Sequence, residues 1–323
     1  MTKKSILILG GGPDSEREVS LVSARCIADA LDHTGRYRAE RRTIQQLTID
    51  ELRQLPGEVI LPALHGGWGE GGPLQDLLEA DGRPFVGSGS RAARAAMDKL
   101  ATKMAAQQLG IVTPPAHVLD PRDTVCPLPF PIVMKPVHEG STVGLFVCRD
   151  TQSWAAARRA IDDAFILGER RTYMIEPCIT GVVGGGGGGK ARELTVGVLD
   201  GNALPVIEIK PADGLYDYEA KYTRNDTQYL LDPPLPAGVG DRIKKQTEEL
   251  ARAMNLRHVA RADFMLDASG QPWYLEINTL PGFTDHSLVP KAARHIGLAM
   301  PELCARLVEM ALRDHAKPTG AAL

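Results

Sequence analysis

Four residue types near the C-terminal third could do chemistry together: Arg261, Asp263, Glu276 and Asn278. They lie in two strand-like runs, Val259 to Leu266 and Trp273 to Asn278. The segment between, Asp267-Ala268-Ser269-Gly270-Gln271-Pro272, has a turn composition, so the whole reads as a β-hairpin. Strand side chains alternate between faces, which puts Ala260, Ala262, Phe264 and Leu266 on one side and Arg261, Asp263 and Met265 on the other. On the partner strand Leu275 and Ile277 face the core, and Glu276 and Asn278 face away. A register symmetric about the turn sets Asp263 opposite Glu276 and Arg261 opposite Asn278. Opposed like charges cost a sheet up to ~1 kcal/mol, so something cationic is expected between them. Two carboxylates and an amide oxygen on one face make a hard-oxygen site suited to Mg²⁺ carrying phosphates. A solvated outer hairpin face is the competing reading. Arg261 beside the acids, and the turn Thr279-Leu280-Pro281-Gly282 after them, favour the metal.

Other residues fit phosphate handling. Lys135 ends a strand just before the small-residue loop Gly140-Ser141-Thr142-Val143-Gly144, which can close backbone N–H groups over phosphates. Lys99 sits across a helix from its apolar stripe, where a solvated lysine is the ordinary outcome. Glu176, near a strand end, suits an amino or ribose group, or simple exposure. Gly184 to Gly189 with Lys190 imitates a phosphate loop, but Ala191 replaces the Mg²⁺-binding hydroxyl and a strand follows instead of a helix. Gly10-Gly11-Gly12 lacks the G-x-G-x-x-G spacing of a dinucleotide site.

These residues need elements to hold them. The strand Ser5 to Leu9 stops at three glycines, and Ser15-x-x-Glu18 has the form of a capping box opening a helix through Leu31. A second strand, Val59 to Leu64, runs into the Gly-rich segment from His65 to Gly72, so the beginning reads as a parallel sheet with its loops at the strand ends. A single helix is expected over 93–109, with Met97, Leu100, Ala101, Met104 and Ala105 as its apolar stripe and Gly110 as its stop. Strands at Ile132 to Lys135, Gly144 to Cys148 and Tyr173 to Glu176 follow, with a helix from Trp154 to Phe165. Val182 to Ala191, with six consecutive glycines, reads as a mobile hairpin tip leading to the strand Glu193 to Val198. A helix from Asp241 to Met254 precedes the 259–278 hairpin.

The chain has 323 residues with net charge −3, so at roughly 150 residues per domain two or three domains are expected, in an α/β class. The acidic balance disfavours nucleic acid and anionic membrane surfaces as partners. No apolar run nears the ~20 residues of a membrane helix, and the N-terminal run is too short for a signal peptide. Five dispersed cysteines read as reduced thiols, and the expected compartment is the cytoplasm.

Taken together, Gly11-Gly12-Pro13-Asp14-Ser15-Glu16-Arg17-Glu18-Val19-Ser20, Leu64-His65-Gly66, Met97-Asp98-Lys99, Lys135-Pro136, Glu139 to Gly144, Tyr216 to Tyr222, Arg261-Ala262-Asp263, Leu275 to Gly282 and His286-Ser287-Leu288 carry a resemblance. In that order they resemble the D-alanine–D-alanine ligase family, of the ATP-grasp superfamily, over essentially the whole chain. The resemblance implies a three-domain ATP-grasp architecture with a Rossmann-like N-terminal parallel-sheet domain. The divisions expected are 1–92 for substrate, 93–180 for the central ATP-grasp subdomain and 181–323 for the catalytic one. It implies ATP as co-substrate, D-alanine as substrate, an acyl-phosphate intermediate and a place in peptidoglycan precursor synthesis. Two Mg²⁺ ions, with Mn²⁺ as a substitute, would rest on Asp263, Glu276 and Asn278. Lys99 and Lys135 would hold phosphates, Glu176, Pro177 and Ile179 the adenine, and Glu193 the ribose. Lys221 and Tyr222 would belong to a closing loop, with Lys221 reaching ATP. Glu16 would bind the first ammonium in a group with Ser141 and Tyr222. His65 would lie near the substrate, Arg261 and the Gly282 N–H would stabilise the tetrahedral oxygen, and Ser287 would take the second carboxylate. Relatives are commonly homodimers.

The Gly-rich insertion after Gly181, Pro177 and Leu215 depart from the family pattern. Pro177 removes an N–H beside the adenine but keeps its carbonyl. Glu219-Ala220-Lys221-Tyr222 resembles the dipeptide-forming version, against the alternatives of D-alanyl-D-lactate or D-alanyl-D-serine formation, or another ATP-grasp carboxylate–amine ligase. A non-catalytic nucleotide binder would lose members of the Arg261, Asp263, Glu276, Asn278 set, and all four are present.

Overall fold

The computed structural model describes residues 3–140, 142–180, 191–211 and 226–316. Three parallel strands, β1 (Lys4–Gly11), β2 (Tyr37–Ile44) and β3 (Val59–Pro62), form the first sheet in the order β2-β1-β3. In the central strand Ile6, Leu7, Ile8 and Leu9 are fully buried, as a parallel strand covered on both faces requires. Strand β2 is concealed in the sequence. Its residues Arg38, Glu40, Arg41 and Arg42 carry the charge of an edge strand and hide the apolar alternation.

Helix α1 (Arg17–His33) follows β1, but the expected capping box does not form: Glu16 is the N-cap and makes no side-chain cap bond. A tight turn, Arg17 N–H to Asp14 O at 3.1 Å, starts the helix after Ser15. The Arg17 guanidinium then folds back onto the carbonyls of Gly12 and Ile44 at 2.8 and 2.9 Å. Short helices α2 (Ile49–Gln54), α3 (Gly66–Glu70) and α4 (Pro73–Asp81) complete this part.

The single helix expected over 93–109 is two, α5 (Ser90–Met97) and α6 (Lys99–Gln108). Asp98 breaks it with an extended backbone, and its carboxylate accepts from the N–H groups of Leu100 and Ala101 at 2.9 and 3.1 Å. Gly110 does follow the stop, at φ 71°. The expected stripe is only half-buried at Met97, Leu100, Ala101 and Ala105. Met104 is 61% exposed, while Lys99, Thr102, Lys103 and Ala106 are buried.

The central sheet is antiparallel, in the order β4-β7-β5-β6: β4 (His117–Val118), β5 (Ile132–Pro136), β6 (Phe146–Cys148) and β7 (Tyr173–Pro177). Helix α7 (Thr151–Ile166) covers it. Strand β6 begins at Phe146 and not at Gly144, because Thr142 and Gly144 adopt φ of 65° and 69° and curl the preceding loop.

The last sheet, β10-β9-β8-β11-β12, is also antiparallel: β8 (Arg192–Leu199), β9 (Asn202–Lys210), β10 (Gln228–Leu231), β11 (Val259–Leu266) and β12 (Pro272–Asn278). Helices α8 (Val239–Ala253) and α9 (Leu288–His295) pack against it, and α10 (Met300–His315) packs against α9 and against α1 and β3 of the first sheet. No hairpin joins β7 to β8. Strand β7 pairs with β4 and β5, and β8 pairs with β9 and β11, so the stretch after Thr180 connects two sheets. Residues 181–190, including the glycine run, lie outside the described residues.

One core runs from Ile6, Ile8 and Leu31 through Leu204, Ile207 and Val289 to Leu303 and Val308, so the first and last sheets share apolar packing. Ala96, Ala106 and Ile111 join the core of the last sheet with Val196, Ile243, Phe264 and Tyr274. The central sheet has its own core, built on Ile132, Met134, Trp154 and Ile175. All five cysteines are free thiols, and among the described residues no helix is long and apolar enough to cross a membrane.

Candidate active site

The β11–β12 register is the expected one: Arg261 opposes Asn278 and Asp263 opposes Glu276. A bulge follows Asp263, after which Phe264 pairs with Tyr274. Leu275 falls in that irregularity and is only half-buried, and Tyr274 fills the core position expected for it. The expected cationic partners are present. Arg261 Nε and Nη2 donate to the two Asp263 oxygens at 3.0 and 2.8 Å, and Lys99 Nζ lies 3.4 Å from Glu276 Oε2. Thr195, opposite Asp263 on β8, donates from Oγ1 to Asp263 Oδ1 at 2.6 Å. Glu193 opposes Met265, two positions along on the same face, and is half-buried.

Lys99 corrects the solvated reading. It is 6% exposed and its ammonium also donates to the Glu139 carbonyl. It stands at the first turn of α6, and the Lys99 N–H donates to Val137 O at 3.2 Å, joining the helix to the loop after β5. That loop is folded into turns, Val143 N–H to Gly140 O at 3.1 Å and Leu145 N–H to Thr142 O at 3.2 Å. Together these elements border a cleft of about 370 Å³ of empty space, open to solvent and lined by Glu70, Lys99, Glu139, Gly140, Glu276 and Asn278.

On β7, Glu176 is buried rather than exposed. Its Oε1 lies 2.5 Å from Lys135 Nζ and its Oε2 lies 2.7 Å from Lys103 Nζ. Burial alone would raise the Glu176 carboxyl, but the two lysines outweigh it and hold it below its ordinary value. Pro177 and Ile179 continue from it, half-buried.

On the N-terminal side Glu16 and His65 are both buried. The vacant Cβ position of Gly140 lies 3.6 Å from Glu16 Oε2, which sets that carboxylate against the loop beside residue 141. His65 Nδ1 lies 3.1 Å from the Leu280 carbonyl, which can only accept, so Nδ1 carries the hydrogen. Burial keeps the imidazole below its usual pKa, opposed by Glu16. Gly282 and Ser287 are neighbours: a Cβ on Gly282 would come within 2.8 Å of Ser287 Oγ, which itself accepts from the Thr284 N–H at 2.8 Å. Ser141, Lys221 and Tyr222 lie outside the described residues.

Three residues join the site beyond those expected. Glu70 closes the run His65-Gly66-Gly67-Trp68-Gly69-Glu70, and burial next to Glu16 pushes its carboxyl up to about 8. Lys103 follows Lys99 by four residues, a spacing that places both on one helix face and was legible. Thr195 had no signal beyond its place in a strand.

The donor set suits a magnesium ion. Asp263, Glu276 and Asn278 offer carboxylate and amide oxygens from one hairpin face, few enough to leave room for water and phosphate oxygens. Arg261 and Lys99 supply the positive charge the two acids need when no ion is bound.

The profile of the family described as "D-ala D-ala ligase C-terminus" matches residues 120–309. The D-alanine–D-alanine ligase of Syntrophotalea carbinolica is 38% identical over 310 residues, covering 95% of this chain and 96% of the relative. That of Bordetella avium is 39% identical over 328 residues, covering 97% of each. The crystal structure of the D-alanine–D-alanine ligase from Bacillus anthracis complexed with ATP superimposes with a TM-score of 0.80 at 29% identity, over 98% of this chain and 99% of that one. A second crystal structure of the Bacillus anthracis ligase gives 0.81 at 30% identity, over 97% and 98%. Two antiparallel sheets facing a cleft, behind a parallel N-terminal sheet, are the ATP-grasp fold. Within that class the chain belongs to the D-alanine–D-alanine ligase family.

Proposed function

We propose that this protein joins two D-alanines to D-alanyl-D-alanine at the expense of ATP, releasing ADP and phosphate, as a step of peptidoglycan precursor synthesis. The observation that carries the reading is the hairpin register, which sets Arg261, Asp263, Glu276 and Asn278 on one face beside Lys99. The first D-alanine's carboxylate takes the γ-phosphoryl group, and the second's amine attacks the resulting acyl phosphate, displacing phosphate. Glu16, buried against the loop at Gly140, receives the first ammonium, with Ser141 and Tyr222 completing that group. Neutral His65 lies beside it. Lys99 and Lys135 bind phosphates. Glu176, Pro177 and Ile179 meet the adenine, Glu193 the ribose, and Lys221 reaches ATP from a loop that excludes water. Arg261 and the Gly282 N–H stabilise charge on the tetrahedral oxygen, and Ser287 takes the second carboxylate. Two Mg²⁺ ions held by Asp263, Glu276 and Asn278 would neutralise phosphate charge as it develops.

The units 1–92, 93–180 and 181–323, a homodimeric state and a cytoplasmic location belong to the same proposal. The test is phosphate release by the purified protein with Mg-ATP, with and without D-alanine, and the product's mass. D-alanine-dependent release with the dipeptide formed supports it. D-alanine-independent hydrolysis, or a product incorporating D-lactate or D-serine in preference, overturns it.

A further inference from the structure

Lys103 belongs to none of the roles above, yet it is among the most buried cations of the described residues, at 3% exposed. Its ammonium reaches three places: Glu176 Oε2 on β7 at 2.7 Å, Thr113 Oγ1 at 2.9 Å and the Pro114 carbonyl at 2.9 Å. Thr113 Oγ1 in turn donates to the Tyr274 carbonyl on β12 at 2.8 Å. Lys103 therefore meets the central sheet, the chain that enters it, and through Thr113 the catalytic hairpin.

The charges explain why two lysines share one carboxylate. With Lys135 alone, Glu176 would form a closed buried pair at 2.5 Å. Drawing Lys135 away to a phosphate would then leave a bare carboxylate in a desolvated place, which is strongly destabilising. With Lys103 on the other oxygen, Glu176 stays compensated and the three-residue group carries one net positive charge. Resting on the function proposed above, we propose that Lys103 is a positioning residue of the nucleotide site: it retains Glu176 when the Lys135 ammonium leaves that carboxylate for a phosphate. Burial lowers the Lys103 pKa, and Glu176 opposes that shift, so the ammonium's charged state depends on the same contact.

The test uses the full chain. Lys103→Met is expected to raise the KM for ATP and the Kd for Mg-ADP about 10-fold or more, with kcat and the KM for D-alanine within about 3-fold. In a Glu176→Gln background the same substitution is expected to add little, because no buried charge then needs a second cation. A role confined to pinning Thr113 and Pro114 would lower stability in both backgrounds and leave ATP affinity unmoved; that result overturns the proposal, as does an additive effect in the double variant. Should Lys103→Met not fold, Thr113→Val, which removes one of the three Lys103 contacts, is expected to give a smaller rise in the ATP KM alone, and no rise overturns the proposal. Wild-type protein that binds no Mg-ADP would overturn the functional reading first and this one with it, whereas normal wild-type binding with unchanged variants defeats this one only.

Discussion

Glu70 sits where its charge is least welcome. It is 5% exposed, close enough to Glu16 for repulsion, and it accepts the Gly66 N–H at 3.2 Å. Its carboxyl titrates at about 8 in the folded chain against an ordinary 4.5. Between those values the unfolded chain has lost the proton and the folded chain has kept it, so this group favours folding below pH 4.5 and loses that contribution as pH rises to 8. Glu70→Gln keeps an oxygen for Gly66 and removes the titration. In urea titrations it is expected to match wild type near pH 4 and to exceed it by up to about 4 kcal/mol at pH 8. Equal stabilities at both pH values would show that Glu70 ionises normally. The hairpin quartet was legible because strand alternation and a short turn dictate which residues share a face. Glu70 was not, because nothing in a glycine-rich run tells how deeply its last residue is buried.

Elements were read best where burial follows apolar periodicity. Strand β1, strands β11 and β12 and helices α1, α7 and α8 fall within a few residues of expectation. Helix α6 failed for a physical reason: its buried face carries Lys99, Thr102 and Lys103, so the hydrophobic stripe that marks an ordinary amphipathic helix is displaced to the half-buried flank and to Met104. Met104, read as core, is largely in solvent. Met104→Gln is therefore expected to change stability by no more than about 0.5 kcal/mol in thermal or denaturant melts. A loss of about 2 kcal/mol or more, typical of a truncated core methionine, would restore the original orientation. Strand β2 failed in the opposite sense, with exposed arginines concealing a real strand, and the supposed β7–β8 hairpin failed because pairing across the glycine run depends on contacts far away in sequence.

Across the whole molecule, the N-terminal unit and the last helix meet at a titratable joint. His258 Nδ1 accepts the Gly87 N–H at 2.9 Å, and Nε2, which therefore carries the hydrogen, lies 3.2 Å from Asp314 Oδ2 on α10. Burial and the neighbouring Arg257 depress its pKa to about 4 from 6.5. Folding thus retains the full contribution of neutral His258 above pH 6.5 and loses it as pH falls toward 4, by up to about 3 kcal/mol. Denaturant titrations at pH 7 and 4.5 are expected to show a smaller acid loss in His258→Gln than in wild type. An equal loss in both would remove the joint from any account of acid stability.

The private core of the central sheet has a consequence for how the chain melts. Apolar packing is continuous between the first and last sheets, while polar contacts through Lys99 and Lys103 tie the central sheet to its neighbours. Cooperativity follows contiguous apolar packing, so calorimetry is expected to show the central sheet melting apart from the rest, and a single transition would refute this. A nucleotide bridging the two parts adds its binding free energy to the weaker one and brings the two transitions together.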